Sequence, residues 1–117
     1  MITNHTQLIQ YLIDKYKFES YLEIGVQTTA QNFDKIRCKG KIGVDPAVKG
    51  NKRIYTGTSD EFFSNKQLVV SADIIFLDGD HTYEQIQRDF ENSLKCLNEG
   101  GRIVIHDTLP ENEQGTL

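Results

Sequence analysis

The stretch Asp73-Ile74-Ile75-Phe76-Leu77-Asp78-Gly79-Asp80-His81 decides how the rest of the chain is read. Its apolar residues are consecutive rather than alternating, as in a strand buried on both faces, and they stop at acids, a glycine and a histidine. Directly after it, Thr82 and Gln85 form a capping pair that opens a long helix with Ile86, Phe90, Leu94 and Leu97 on one face. Gly100-Gly101 is expected to stop that helix, and Arg102-Ile103-Val104-Ile105 forms a fifth strand closing on His106-Asp107.

The same alternation fills the first half. Asn4 with Gln7 opens a helix carrying Leu8, Ile9, Leu12, Ile13 and Tyr16 on one face and ending near Lys17. Tyr21-Leu22-Glu23-Ile24-Gly25-Val26 is a short apolar run broken by glycine, a buried first strand. A helix is expected from about Thr29 to Cys38, stopped by Gly40. Lys41-Ile42-Gly43-Val44-Asp45-Pro46 forms a second strand and Arg53-Ile54-Tyr55-Thr56 a weaker third. Thr58 with Glu61 then opens a short helix bearing Phe62 and Phe63. Apolar strands separated by amphipathic helices indicate a parallel sheet covered on both faces, and right-handed crossovers make it a doubly wound α/β domain.

A chain of 117 residues is one domain, here 1–110 followed by a polar tail at 111–117. Hydrophobic residues at 38% and charged residues at 26% suit a soluble globular protein. The net charge of -4 argues against nonspecific nucleic-acid binding, which needs an excess of Lys and Arg. No apolar run approaches the roughly 20 residues that cross a bilayer, and the first residues are not a signal peptide, so a cytoplasmic location is expected. Cys38 and Cys96 lack metal-type spacing and read as reduced thiols.

In such sheets ligands bind beyond the carboxyl ends of the strands, where the strand order reverses. Here strand 1 ends near Glu23 and Gly25, strand 2 on Asp45, strand 4 on Asp78 and strand 5 on His106-Asp107. One acid there is ordinarily a solvated or capping group, whereas acids from four strands at one edge mark a site. Asp45, about 20 residues after a glycine-bearing first turn, suits the paired hydroxyls of a ribose. The turn Gly25-Val26-Gln27-Thr28-Thr29 lacks the glycines that admit a pyrophosphate, so an adenosine ligand without phosphate fits better than NAD.

At this point a family resemblance can be stated. Leu22-Glu23-Ile24-Gly25-Val26, Ile42-Gly43-Val44-Asp45-Pro46, Thr58-Ser59-Asp60-Glu61-Phe62, Ile75-Phe76-Leu77-Asp78-Gly79-Asp80-His81 and the run from Gly100 to Asp107 resemble the successive motifs of class I S-adenosylmethionine (SAM) methyltransferases. The nearest subgroup ends its fourth strand D-G-x-H and its fifth H-D. The resemblance implies a mostly parallel five-stranded Rossmann-like sheet in the order 3-2-1-4-5, shortened at its C-terminal end. It implies SAM as cofactor, with Glu23 and Gly25 beside its methionine part and Asp45 on the ribose. Thr58, Ser59 and Asp60 would edge the adenine, and Asp78 would close the site near the methyl group. It further implies O-methylation of a sugar or small hydroxylated metabolite. Many relatives carry glycine where this chain has Gln27 and Thr29, and a β-carbon at Thr29 is expected to crowd the methionine carboxylate.

Methyl transfer to oxygen needs the acceptor positioned and its proton removed. Asp78 and Asp107, at the ends of neighbouring strands, could share Mg²⁺, although the Asn that follows the second acid in metal-dependent catechol O-methyltransferases is replaced here by Thr108. Alternatively His81 or His106 acts as general base, each with a plainer reading as a loop or packing residue. The apolar fifth strand, as a sheet edge, is expected to be covered by the tail or by a partner such as a second copy of the chain. The rival to an enzyme is an inactive SAM- or nucleoside-binding or assembly module that keeps the same core.

Overall fold

A computed structural model describes residues 2–79 and 82–107, of which 79 and 107 in backbone only. Its elements follow as α1 (His5–Tyr16), β1 (Ser20–Ile24), β2 (Gly40–Val44), β3 (Ile54–Tyr55), α2 (Ser59–Ser64), β4 (Ala72–Gly79), α3 (Tyr83–Cys96) and β5 (Leu97–Asp107). The five strands form one sheet in the order β3-β2-β1-β4-β5, every pair parallel. The alternating pattern's doubly wound parallel domain is thus found, with the Rossmann-like strand order that the family resemblance implies. The order reverses between β1 and β4, where Glu23 lies opposite Phe76 and Ile24 opposite Leu77.

Alternate residues of the central strands feed two cores. On one face Ile9 and Ile13 of α1 pack with Tyr21, Phe33, Ile74 and Phe76; on the other Leu22, Ile24, Val44, Ile75 and Leu77 meet Phe62 of α2. Period-two alternation of side chains produces this division, and burial on both sides explains why the strands read as unbroken apolar runs. Gly43 has no side chain because β2 is pressed between layers: a Cβ there would lie 2.5 Å from Ile54 Cδ1 and 2.7 Å from Val26 Cγ2.

The caps form largely as expected. Thr58 and Glu61 make a complete capping box on α2. Asn4 accepts the Gln7 N–H at 2.9 Å, but the Gln7 amide reaches past it to the Thr3 N–H at 2.7 Å. Thr82 accepts the Gln85 N–H, while the Gln85 side chain turns away to α2.

Three expectations are corrected. The segment from Thr29 to Cys38 is not a helix; it makes one turn, closed by Asp34 N–H to Thr29 O at 2.8 Å, and a 3-10 turn at Phe33–Lys35. Asn32 spends its amide on β1, and Phe33 and Ile36 are both drawn into the core, which leaves the following residues extended into β2 with Gly40 as its first residue. Secondly, α3 stops at Cys96 rather than at Gly100-Gly101, and β5 starts at Leu97, paired with Ala72. Gly101 is required where β5 closes on β4, since a Cβ would sit 2.5 Å from the Asp73 carbonyl oxygen. Thirdly, α3 buries Asp89 and Ser93, whereas Phe90 and Leu94 of its apolar stripe stay substantially exposed. Asp89 takes a 2.7 Å hydrogen bond from Ser59 Oγ on α2, which fixes the helix rotation.

Among the described residues no helix is long and apolar enough to cross a membrane. β5 is one of the two outer strands, with Ile105 partly exposed, and the tail expected to cover it lies outside the described residues.

Candidate functional site

The loop Gly25-Val26-Gln27 leaves β1 at the switch point and separates two clefts along the carboxyl edge of the sheet. It is strapped to β2: Gly25 N–H bonds the Val44 carbonyl at 2.9 Å, and Gln27 N–H bonds Asp45 Oδ2 at 2.7 Å. Gly25 has φ 87° and Gln27 φ 60°, both left-handed. Glycine adopts that region freely, whereas Gln27 does so at a cost and is held there by the Asp45 bond.

The first cleft, about 220 Å³, lies between that loop and the start of α2, with Gly25, Asp45, Thr58, Ser59 and Gln85 among its walls. Asp45 is buried, and the Ala47 N–H binds its Oδ1 at 2.7 Å. Each carboxylate oxygen therefore accepts one backbone N–H and retains a lone-pair site. Asp60 does not line this cleft. It faces α3, where Arg88 Nη2 lies 3.0 Å from its Oδ2 and holds its carboxyl below the usual range.

The second cleft, about 510 Å³, is walled by His5, Gln27, Gln31, Asn32, Asp78 and His106 together with Val26. Asp78 and His106 sit opposite each other in the β4–β5 register, and His106 Nδ1 is 3.0 Å from Asp78 Oδ1. His5, the first residue of α1, is sandwiched with ring centroids 5.0 Å from Phe76 and 4.9 Å from His106. Burial lowers the pKa of His5, and the neighbouring His106 adds to this, with Asp78 acting in opposition.

Glu23 is fully buried behind this cleft. Its Oε1 accepts the Tyr21 hydroxyl at 2.5 Å and the Asn32 amide at 2.7 Å, while Oε2 has no hydrogen-bond partner among the described residues. Burial dominates and pushes its pKa up to about 7 against the pull of those two donors. Tyr21 is raised in turn, by burial first and by the Glu23 charge second.

The structure thus gathers Gly25, Asp45, Thr58 and Ser59 at one cleft and Asp78 with His106 at the other, with Glu23 behind the second. His81 lies outside the described residues, as does the Asp107 side chain, whose backbone pairs with Gly79. Among the described residues no three His, Cys, Asp or Glu side chains converge as a metal site. His5, Tyr21, Asn32 and Gln85 were missed from the sequence. Only Tyr21 carried a signal, standing two residues before Glu23 and so on the same face of β1.

A family model described as a methyltransferase domain matches residues 5–108. A protein of Acanthamoeba polyphaga mimivirus, R132, itself uncharacterized, is 49% identical over 35 residues, 30% of this chain and 16% of that protein. Two solved structures share the fold. A Staphylococcus aureus protein assigned as a caffeoyl-CoA O-methyltransferase superposes with TM-score 0.63 at 20% identity, over 90% of this chain and 58% of its own. The MycE methyltransferase of the mycinamycin biosynthetic pathway, in complex with Mg and S-adenosylhomocysteine (SAH), gives 0.57 at 18% identity over 95% and 35%. The chain therefore spans just over half of the first structure and about a third of the second.

Proposed function

The chain belongs to this methyltransferase-domain family, and from that premise we propose that it binds SAM across the Gly25–Gln27 loop and methylates a hydroxyl of a sugar or other small hydroxylated metabolite. The observation that carries the reading is Asp45. Its carboxylate is anchored on both oxygens by backbone N–H groups at the wall of the first cleft, with lone pairs left for two ribose hydroxyls. Gly25, without a side chain, lets the ligand approach the loop backbone, and Thr58 and Ser59 form the base edge, the Ser59 hydroxyl held by Asp89 and the Thr58 hydroxyl capping α2. Bound SAM supplies an activated methyl group on a sulfonium. The methyltransferase neighbour that carries SAH supports that choice of cofactor.

The chain's own residues then have to hold the acceptor and take its proton. His106 gives Nδ1 to Asp78, which fixes the imidazole ring and leaves Nε2 to receive the acceptor's hydroxyl proton. The described walls of the second cleft are three amides, two imidazoles, one carboxylate and the apolar Val26, with no Lys or Arg. Such a lining matches a neutral polyhydroxylated acceptor better than a phosphorylated one. Mg accompanies SAH in the MycE structure; here Asp78, one of the two acids that would hold such an ion, lies 3.0 Å from His106 Nδ1, and the side chain of the other, Asp107, lies outside the described residues.

One feature of the sequence favours the inactive binding module: Gln27 and Thr29 stand where many related sequences carry glycine. Calorimetry with SAM and SAH, followed by transfer assays on a panel of sugars and small phenols, decides. Saturable binding that disappears in Asp45→Ala is expected. No heat and no thermal shift at millimolar ligand would overturn the reading, whereas binding without transfer to any acceptor would favour the module.

A further inference from the structure

Behind the second cleft lies a hydrogen-bonded chain that the proposed chemistry does not yet use. Thr6 Oγ1 of α1 bonds Asn32 Oδ1 at 2.5 Å, Asn32 Nδ2 bonds Glu23 Oε1 at 2.7 Å and the Tyr21 hydroxyl oxygen at 3.0 Å, and the Tyr21 O–H bonds the same Glu23 oxygen. Tyr21, Glu23 and Asn32 are each more than nine-tenths buried. Both donors converge on Oε1, leaving Oε2 without a hydrogen-bond partner among the described residues. A buried acceptor without a partner is costly, so its retention calls for an explanation. Asn32 is also the one member of the chain that lines the cleft.

We infer that Asn32 is a positioning residue: with Tyr21 it locks the Glu23 carboxylate through Oε1, so that Oε2 is held ready for the ammonium group of the bound cofactor's amino-acid part. This rests on the SAM reading. An ammonium donor satisfies the orphaned oxygen and supplies the charge that a buried carboxylate lacks. The titratable and charged groups facing Glu23 are Tyr21 on its own strand, Lys41 on β2 and Asp78 on β4, while α1 contributes Thr6 through Asn32. Lys41 favours the ionised form and Asp78 disfavours it, so the nearby charges oppose each other and the two hydrogen bonds are the principal aids to ionisation. Asn32 has a second effect. Its bond to Thr6 ties the cofactor acid to the first turn of α1, whose neighbouring residue His5 packs its ring at a tilt against His106. The cofactor side and the acceptor side are thereby registered through one amide.

The test compares two ligands across pH: SAH, which carries the amino-acid part, and 5′-methylthioadenosine, which lacks it. Wild-type affinity for SAH should fall as pH drops through about 7, where Glu23 takes up a proton, while that for methylthioadenosine should not follow it. In Asn32→Ala the SAH affinity at neutral pH should fall about tenfold and the midpoint of its pH dependence should rise by about one unit, with methylthioadenosine binding unchanged. Asn32→Asp preserves shape while removing the donor, and should raise the midpoint as well; it carries the test should Asn32→Ala not fold. A lower melting temperature with an unmoved midpoint, or equal weakening of both ligands, would show Asn32 to be merely structural and overturn the proposal. Binding of neither ligand to the wild type would instead sink the SAM reading and this proposal with it.

Discussion

Gln27 holds a left-handed φ of 60° while its backbone N–H reaches Asp45 Oδ2 at 2.7 Å. The backbone conformation and the hydrogen bond depend on each other, because the N–H points at the carboxylate only when the loop turns left. A glycine would adopt this φ without strain. Gln27→Gly should therefore keep the bond and leave stability unchanged or raised by up to about 1 kcal/mol, whereas the β-branched Gln27→Val should destabilise by about 1 kcal/mol or more. Urea unfolding of the two variants checks the sign.

Glu23 makes folding depend on pH. Its pKa rises from 4.5 to about 7 on folding, so the folded chain binds the extra proton between those values. The neutral form is the one that folding favours: the associated stability is present below pH 4.5 and is lost as pH rises through about 7, a change on the order of 3 kcal/mol. Glu23→Gln should flatten this slope whatever it does to absolute stability. Melting temperatures between pH 5 and pH 8 would show an unaltered slope if Glu23 were not its source.

Gly43→Ala should destabilise the fold by about 1–3 kcal/mol, because the new methyl group would press on Ile54, Val26 and Phe33 at 2.5, 2.7 and 3.3 Å. Val26 belongs to the loop between the clefts, so ligand binding should weaken together with the shift in urea midpoint.

His106→Ala should lower the rate of methyl transfer about a hundredfold to ten-thousandfold while sparing SAH affinity, as expected when a proton acceptor is lost but the cofactor cleft is untouched. Comparing kcat with the SAH dissociation constant separates the two. A loss of SAH binding equal to the loss in rate would place His106 in the cofactor cleft instead.

Much of the fold was legible because its signals are local. The apolar runs at residues 74–77 and 103–105 identify buried strands, Thr58 and Glu61 announce their helix, and the terminal acids of β1, β2 and β4 follow from where those runs stop. The segment 29–38 differs for a physical reason: the helix expected between the first two strands was overridden once Asn32 bonded β1 and Phe33 and Ile36 entered the core together. In α3 the apolar stripe suggested the buried face, but the Asp89–Ser59 bond turned the helix by another route.

What the sequence determined by itself was a parallel α/β domain with acids at one edge, since strand period, caps and glycines act over a few residues. What only the tertiary structure decided was how those acids are used. Thr6 and Asn32 are 26 residues apart, and Asp78 and His106 are 28 apart. Contacts across such separations leave no periodicity in the chain. Whether Glu23 lies open or sealed, and whether Asp60 faces a ligand or Arg88, therefore depends on which helix packs beside it and how that helix is rotated.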